Sequence, residues 1–277
     1  ATGTRGYIAN QAAGTVSVFD VATNTITNTI AVGSSPTNVA LAPNGKLYVS
    51  NQAAGTVSVI DPATDTVLTT IDVGGQPIGF AFGNGVGYVT GGGGDIVTVI
   101  DLTTNTAVST IAVGGHPAGA ALAPDGTHLY VTNQFVGNLT IITTADNQIA
   151  NTLPLGLYPT VVKINDAGTL AYVTNQFSNV VSVIDLATNT VTESIAVGTT
   201  PIDIQLSADG TRAYVVNFSG LSSNDLHPGS VSVIDLTTNT VIGTFDVGVG
   251  PIGAALSPSG DLLYVVNAGG GVSVVSV

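Results

Sequence analysis

Three histidines, four Lys+Arg and no cysteine leave this chain few side chains that can move protons or hold anions at neutral pH. Thiolate chemistry and disulfides are excluded outright. For proton transfer the sequence offers His116 or His227 as a general base, Asp95, Asp203 or Asp225 to orient it, and Tyr158 as an acid. With Lys163 as an electrostatic anchor, the set His116, Tyr158, Lys163 and Asp203 would suit a lyase, a lactone hydrolase or a cyclase, reactions that need a proton shuttle and little else. His116, His227 and Asp225 could instead gather around a divalent metal, since two imidazoles and a carboxylate form a known ligand set. No cofactor motif occurs, and the aspartates are spread along the chain, so no calcium loop is expected.

The elements that must position these residues repeat. Tyr7, Tyr48, Tyr88, Tyr130, Tyr172, Tyr214 and Tyr264 each open a Y-x-x-N or near match, reading YIAN, YVSN, YVTG, YVTN, YVTN, YVVN and YVVN. Their spacings are 41, 40, 42, 42, 42 and 50 residues, and they use seven of the eight tyrosines. Each copy carries four strand signals, typified by Pro36–Leu41, Leu47–Asn51, Thr56–Asp61 and Thr66–Val73, which we label A to D. These are short β-branched runs of period two, bounded by Gly, Pro, Asn and Asp. A four-stranded unit of about 40 residues cannot cover both its own faces, whereas seven in a ring can. The expectation is an all-β, seven-bladed β-propeller of four-stranded antiparallel blades, a single domain over 1–277.

The verbatim YVTN at Tyr130 and Tyr172, with VSVID at Val57, Val181 and Val231, resembles the YVTN family of β-propeller repeat proteins over the whole chain. That resemblance implies a secreted or cell-surface, extracytoplasmic setting and a binding or structural role, with no family-wide catalytic residues. Ala1–Tyr7 aligns with Ala208–Tyr214, and the sequence stops inside strand C of the last copy. Blade 1 is therefore expected to lack strand A and blade 7 to lack strand D. A longer native chain, closure with two short blades, or a strand donated by another chain to an open blade edge would each account for this.

In a meander the A–B and C–D turns share one face, and the B–C and D–A loops share the other. The first face is uniform: PNG, PDG and TNT turns recur, and the aspartates ending strand C, such as Asp61 and Asp185, read as turn caps. His128, in the A–B hairpin of blade 4, reads as surface. The second face varies. Its B–C loops run from NQAAG in blades 1 and 2 to NQFVG in blade 4, NQFSN in blade 5 and a long FSGLSSNDLHPGS in blade 6. The residue before the D–A proline changes from Ser35 to Gln76, His116, Tyr158, Thr200 and Gly250. Phe135, Phe177 and Phe218 occupy loops where blades 1 to 3 have Ala or Gly. Aromatics clustered on one rim with polar neighbours resemble a ligand site, expected to use Gln76, His116, Gln134, Phe135, Tyr158, Gln176, Phe177, Phe218 and His227. Alternatively the rings pack on one another and only stabilise the loops.

Strand A mostly carries small residues, such as Ala40, Gly79, Gly119, Ala121 and Gly253, but blade 5 places Lys163 and blade 6 places Asp203 and Gln205 at those positions. They read either as a Lys163–Asp203 pair or as an anchor for a carboxylate or sugar hydroxyl. The formal net charge of −13 leaves too few cations to neutralise phosphates, so nucleic acid and anionic membrane surfaces are excluded as partners. No apolar run of membrane-spanning length occurs, so no membrane insertion is expected. A glycan, a peptide or a small apolar molecule is the expected ligand.

Overall fold

Proline at the head of strand A sets the pattern of blades 2 to 7. In the computed structural model, which describes residues 4–220 and 227–277, strand A spans Pro36–Leu41, Pro77–Gly83, Pro117–Leu122, Pro159–Ile164, Pro201–Leu206 and Pro251–Leu256 in blades 2 to 7. Strand B spans Arg5–Asn10, Leu47–Asn51, Val86–Gly91, His128–Asn133, Leu170–Asn175, Arg212–Asn217 and Leu262–Asn267 in blades 1 to 7. Among the described residues the strands form seven antiparallel sheets in sequence order, five of four strands and two of three. The fold is a seven-bladed β-propeller. Blade 1 begins at strand B and blade 7 ends with strand C at Val272–Ser276, as the repeat alignment predicted. The chain divides into two compact units, one of Ala1–Leu122, Gly126–Val131 and Ile142–Ile149, the other of Ala123–Asp125, Thr132–Ile141 and Ala150–Val277.

Proline has no N–H to donate, so the A–B ladder slips directly after it. Register shifts fall between Pro36 and Asn38, Pro77 and Phe80, Pro159 and Val162, Pro201 and Asp203, and Pro251 and Gly253. The slip leaves a backbone N–H near the third residue of strand A. The hydroxyl at the third place of Y-V-T-N captures it: Asn38 N donates to Ser50 Oγ at 3.1 Å, Gly79 N to Thr90 Oγ1 at 2.8 Å and Val161 N to Thr174 Oγ1 at 3.1 Å. The same hydroxyl then donates onward to strand A of the next blade. Ser50 reaches the Ile78 carbonyl at 3.1 Å and Thr90 the Ala118 carbonyl at 2.6 Å in the first unit; Thr132 reaches the Thr160 carbonyl at 2.7 Å in the second.

The other letters of the motif have similar reasons. The asparagine amide bolts strand B to the hydroxyl in V-S-V of strand C: Asn51 to Ser58 at 2.9 Å, Asn133 to Thr140 at 2.7 Å and Asn175 to Ser182 at 2.9 Å. Tyr48, fully buried, donates its hydroxyl to Asn105 Oδ1 in the C–D turn of the next blade at 2.5 Å. In blade 2 that turn carries Asp65 instead, and its Oδ2 accepts from Arg5 and from Asn28. Around these bolts the valines and isoleucines pack as clusters in which C strands meet strands D and A, such as Val57, Val59, Ile71 and Ile100 in the first unit and Val181, Val183, Ile204 and Ile234 in the second.

The aspartates ending strand C cap the C–D turns as expected: Asp101 accepts from the N–H groups of Thr103 and Thr104, and Asp185 from those of Ala187 and Thr188. The Thr23 N–H at Asp20, the Lys46 ammonium at Asp61, the Thr103 N–H at Asp101, the Thr188 N–H at Asp185 and the Thr237 hydroxyl at Asp235 hold these carboxyls below their ordinary value. In the A–B turn of blade 6, the Ser207 hydroxyl leads in lowering Asp209 from 3.8 to about 2. A carboxyl whose pKa is lower folded than unfolded stabilises the fold above its unfolded pKa, and that contribution is lost as pH falls through the folded value. Thermal unfolding followed from pH 5 downward should therefore show a midpoint that drops from about pH 4 toward pH 2. Replacing Asp101, Asp185, Asp209 and Asp235 by Asn, which keeps a capping oxygen but removes the titration, should flatten the drop.

Candidate functional site

The residue before each strand A proline adopts left-handed backbone: Ser35, Gln76, His116, Tyr158, Thr200 and Gly250 have φ of 51, 56, 60, 59, 59 and 61°. For Gln, His and Tyr this region is sparsely populated and must be held by surrounding bonds. In blade 5 the bonds are on view. The Tyr158 carbonyl accepts the Gln176 N–H at 3.0 Å and the Leu157 carbonyl accepts the Phe177 N–H at 3.1 Å. The Leu157 N–H donates to Ser178 Oγ at 2.7 Å. This short ladder ties the D–A corner to the B–C loop of the same blade and fixes the ring of Tyr158 beside that of Phe177.

The result is a row of three rings in the second unit. Tyr158 lies between Phe177, at 4.8 Å between centroids, and Phe135 of the blade 4 loop, at 5.9 Å, with both pairs tilted by about 45°. Phe135 is 67% exposed and Phe177 52%, while Tyr158 is half-buried and burial raises its phenol pKa. Gln134 and Gln176, each just before a phenylalanine, are half-buried. Leu157, at 66% exposure, and Val136, at 58%, extend the apolar surface. Sequence comparison missed these two because aliphatics flanking a loop aromatic carry no distinguishing pattern.

Phe218, grouped with the other phenylalanines in the sequence, does not join them. It is buried to 8% exposure, and its N–H donates to the Thr200 carbonyl at 3.0 Å. Thr200 is buried as well, its hydroxyl on the Gly220 carbonyl at 3.0 Å, so the blade 6 corner presents neither residue to solvent. His227 is exposed, and its carbonyl accepts from Gly250. Asp225, the expected third metal ligand, lies outside the described residues, and among the described residues no three acidic or histidine side chains gather as a metal site.

In the first unit, Gln76 and His116 hold the corresponding corners. The blade 3 loop here is Gly92–Gly94, a 3₁₀ turn, and glycine is required by close approach. A Cβ on Gly92 would come within 2.7 Å of the His116 ring, and one on Gly93 within 2.7 Å of the Gln76 side chain. Asp95, read from sequence as an orienter of histidine, accepts the backbone N–H of His116 at 2.8 Å and so braces the corner. His128 sits in the first unit with its Nδ1 2.8 Å from the hydroxyl of its neighbour Thr127.

Lys163 and Gln205 are the fifth residues of their six-residue strands, and Asp203 is the third of its strand. Tyr158 and Lys163 are five positions apart on extended chain, roughly 16 Å at about 3.3 Å per residue, far beyond proton-transfer reach. The Lys163–Asp203 ion pair, one of the two readings of these residues, does not form, whereas Arg5 pairs with Asp65 and Lys46 with Asp61. Asp203 has another partner. Strand B of blade 6 has Val216 where blades 2 to 5 have the bulge hydroxyl, and Asp203, opposite it, accepts the Ala254 N–H of blade 7 on Oδ2 at 2.8 Å. Its Oδ1 accepts the Ile204 N–H at 2.8 Å, and the Gln205 amide donates to both oxygens at 3.2 Å. Burial raises this carboxyl above its ordinary value, against the opposing pull of the Lys163 charge and these donors.

No protein-family model and no curated protein matches the chain. Solved structures do. A hydrazine synthase structure from Kuenenia stuttgartiensis aligns with a TM-score of 0.88 at 21% identity, covering 99% of this chain and 92% of that one. The β-propeller domain of Cps50 (Swd1) from Myceliophteria thermophila aligns at 0.82 and 13% identity, covering 99% and 94%. A chain of a mitotic checkpoint complex aligns at 0.81 and 15%, covering 98% and 83%. Likeness at these identities is likeness of fold, and the three proteins serve different ends.

Asp203→Ala should destabilise the chain by about 1–3 kcal/mol in urea unfolding, because the Ala254 N–H loses its acceptor. Asp203→Asn keeps an oxygen there and should cost less. The carboxyl's folded pKa lies above the unfolded 3.8, so its contribution is present at low pH and lost as pH rises through the folded value. The Asn variant should therefore gain on the parent as pH rises.

Proposed function

We propose that this chain is an extracytoplasmic recognition module whose ligand, a neutral glycan, lies across Phe135, Tyr158 and Phe177. The observation that carries this reading is the row of rings itself: two exposed phenylalanines flanking a tyrosine held in a rare backbone conformation. Large exposed rings in a soluble fold mark interaction surfaces, and ones set on braced backbone lose little freedom on binding. A sugar ring offers an apolar C–H face for such rings and hydroxyls at its edge for amides, and Gln134 and Gln176 stand beside two of the rings in sequence. No charged residue occurs in 133–138, 155–160 or 175–180, and the chain's net charge of −13 disfavours anionic ligands. The resemblance of the repeat to the YVTN propellers supports the extracytoplasmic setting. A catalytic reading has less support, since Tyr158 and Lys163 sit at opposite ends of one strand.

Titration calorimetry against a panel of neutral oligosaccharides tests this. At least one should bind the parent, and Phe135→Ala/Phe177→Ala should weaken it by about tenfold or more. Because both side chains are exposed, thermal stability should change by no more than about 0.5 kcal/mol. Equal binding by the double variant, or binding confined to apolar peptides, would overturn the assignment. No binding by any sugar would favour a structural surface role instead.

A further inference from the structure

Among the described residues Lys163 is the one half-buried lysine or arginine that forms no salt bridge, although its charge acts on the buried Asp203 carboxyl. Arg5 and Lys46 form ion pairs, Arg212 is exposed, and Lys163 makes neither an ion pair nor a hydrogen bond. It opens onto a cleft of about 190 Å³ in the second unit, shared with Asn165, Asp166, Gln205 and Ser207 of blades 5 and 6. At its level of strand A, blades 2, 3, 4 and 7 carry Ala40, Ala81, Ala121 and Ala255, and blade 6 carries Gln205. Asp203 is near enough to feel the Lys163 charge, but its oxygens already accept from Ile204, Ala254 and Gln205. Gln205, by turning its N–H groups to Asp203, leaves its carbonyl oxygen as an acceptor without a donor. Asn165 and Ser207 are committed to Thr169, Asp209 and Arg212.

We infer that this cleft is a second binding site, separate from the aromatic row, for a small monocarboxylate carrying a neighbouring hydroxyl. The carboxylate takes the Lys163 ammonium, a charge-assisted bond made stronger by partial burial. The hydroxyl donates to Gln205 Oε1. Asp166, exposed at the rim, repels a second negative charge, so dicarboxylates and phosphate are disfavoured. At about 30 Å³ per water-sized group, the cleft holds roughly six non-hydrogen groups, the size of a two- or three-carbon hydroxy acid.

Glycolate is the direct probe, followed by amide chemical shifts of the ¹⁵N-labelled full chain, with acetate, malonate and inorganic phosphate as comparisons. Glycolate should move the amides of 163–166 and 205–207 saturably, with a Kd of millimolar order, and acetate should bind about tenfold more weakly. Lys163→Met should abolish the shifts, and Gln205→Leu should bring glycolate down to the level of acetate. Lys46→Met, at the other lysine, which is paired with Asp61 away from the cleft, should leave the glycolate shifts unchanged. No saturable shift up to about 50 mM glycolate, or equal binding by Lys163→Met, would overturn the site. Tighter binding of malonate or phosphate than of glycolate would overturn its ligand class. Loss of sugar binding in Phe135→Ala/Phe177→Ala with glycolate shifts intact is the expected sign that the two sites are independent.

Discussion

A hydroxyl on the second strand of the blade is the bond on which the rest of this architecture rests. Proline at the head of strand A makes the ladder slip, and the slip strands a backbone N–H inside the protein. An unsatisfied N–H there would cost about 1–3 kcal/mol in each blade. Ser50, Thr90 and Thr174 accept it, and Ser50 and Thr90 also donate to a carbonyl of the following blade. One small side chain thus repairs a defect inside a blade and registers that blade against its neighbour. Non-directional valine packing alone could not set that register. Where blade 6 has Val216, the junction to blade 7 is made by Asp203 and the Ala254 N–H instead, which is why an aspartate is tolerated where blades 3, 4 and 7 have glycine.

The corner ahead of the proline is held by backbone bonds against proline's own preference, and there the logic reverses. Six corners share one left-handed backbone conformation whatever the residue, from Gly250 to Tyr158. The backbone belongs to the fold, so the side chain is left free to vary. Corner bonds such as Gln176 N–H to the Tyr158 carbonyl recur as Gln52 to Ser35, Phe218 to Thr200 and Ala268 to Gly250. A bulky residue at such a corner is aimed outward by a scaffold already assembled for other reasons. This separation of scaffold from display is what permits one repeat to carry a tyrosine in blade 5 and a buried threonine in blade 6.

The sequence carried the periodic part of this structure well. The bounds of strands A to C in blade 2, strand D to within one residue at its end, the truncated first and last blades and the aspartate turn caps follow from spacing, because each repeats and each has a local cause. What did not follow was non-periodic. Phe218 shares its position after the strand B asparagine with nothing that marks it as buried; the Thr200–Gly220 closure around it is specific to blade 6. Opposite charges on neighbouring strands suggested a Lys163–Asp203 pair, yet the missing hydroxyl at Val216 gave Asp203 a stronger directional partner. The left-handed corners were invisible because a residue before proline is ordinarily extended. Leu157 and Val136 needed coordinates, since exposure of an aliphatic beside a loop aromatic has no sequence signature.

Strand A of blade 5 joins two unlike chemistries at its two ends. Tyr158 stands ahead of Pro159 among rings and neutral amides, where water is displaced from apolar surface and charge would be a penalty. Lys163 stands near the other end among Asn165, Gln205 and Ser207, where polar side chains mix with Ile164, Leu206 and Leu236 and the cation forms no salt bridge. Neither environment suits the ligand of the other, so the roughly 16 Å of extended chain between them acts as an insulator. A strongly acidic protein gains solubility from its net charge, and that charge offsets the aggregation risk of leaving Phe135 and Phe177 in water. It also makes the potential around Lys163 unfavourable to anions at long range. An anion is therefore held there only by short-range bonds, which is why a hydroxyl to engage Gln205 matters as much as the carboxylate itself.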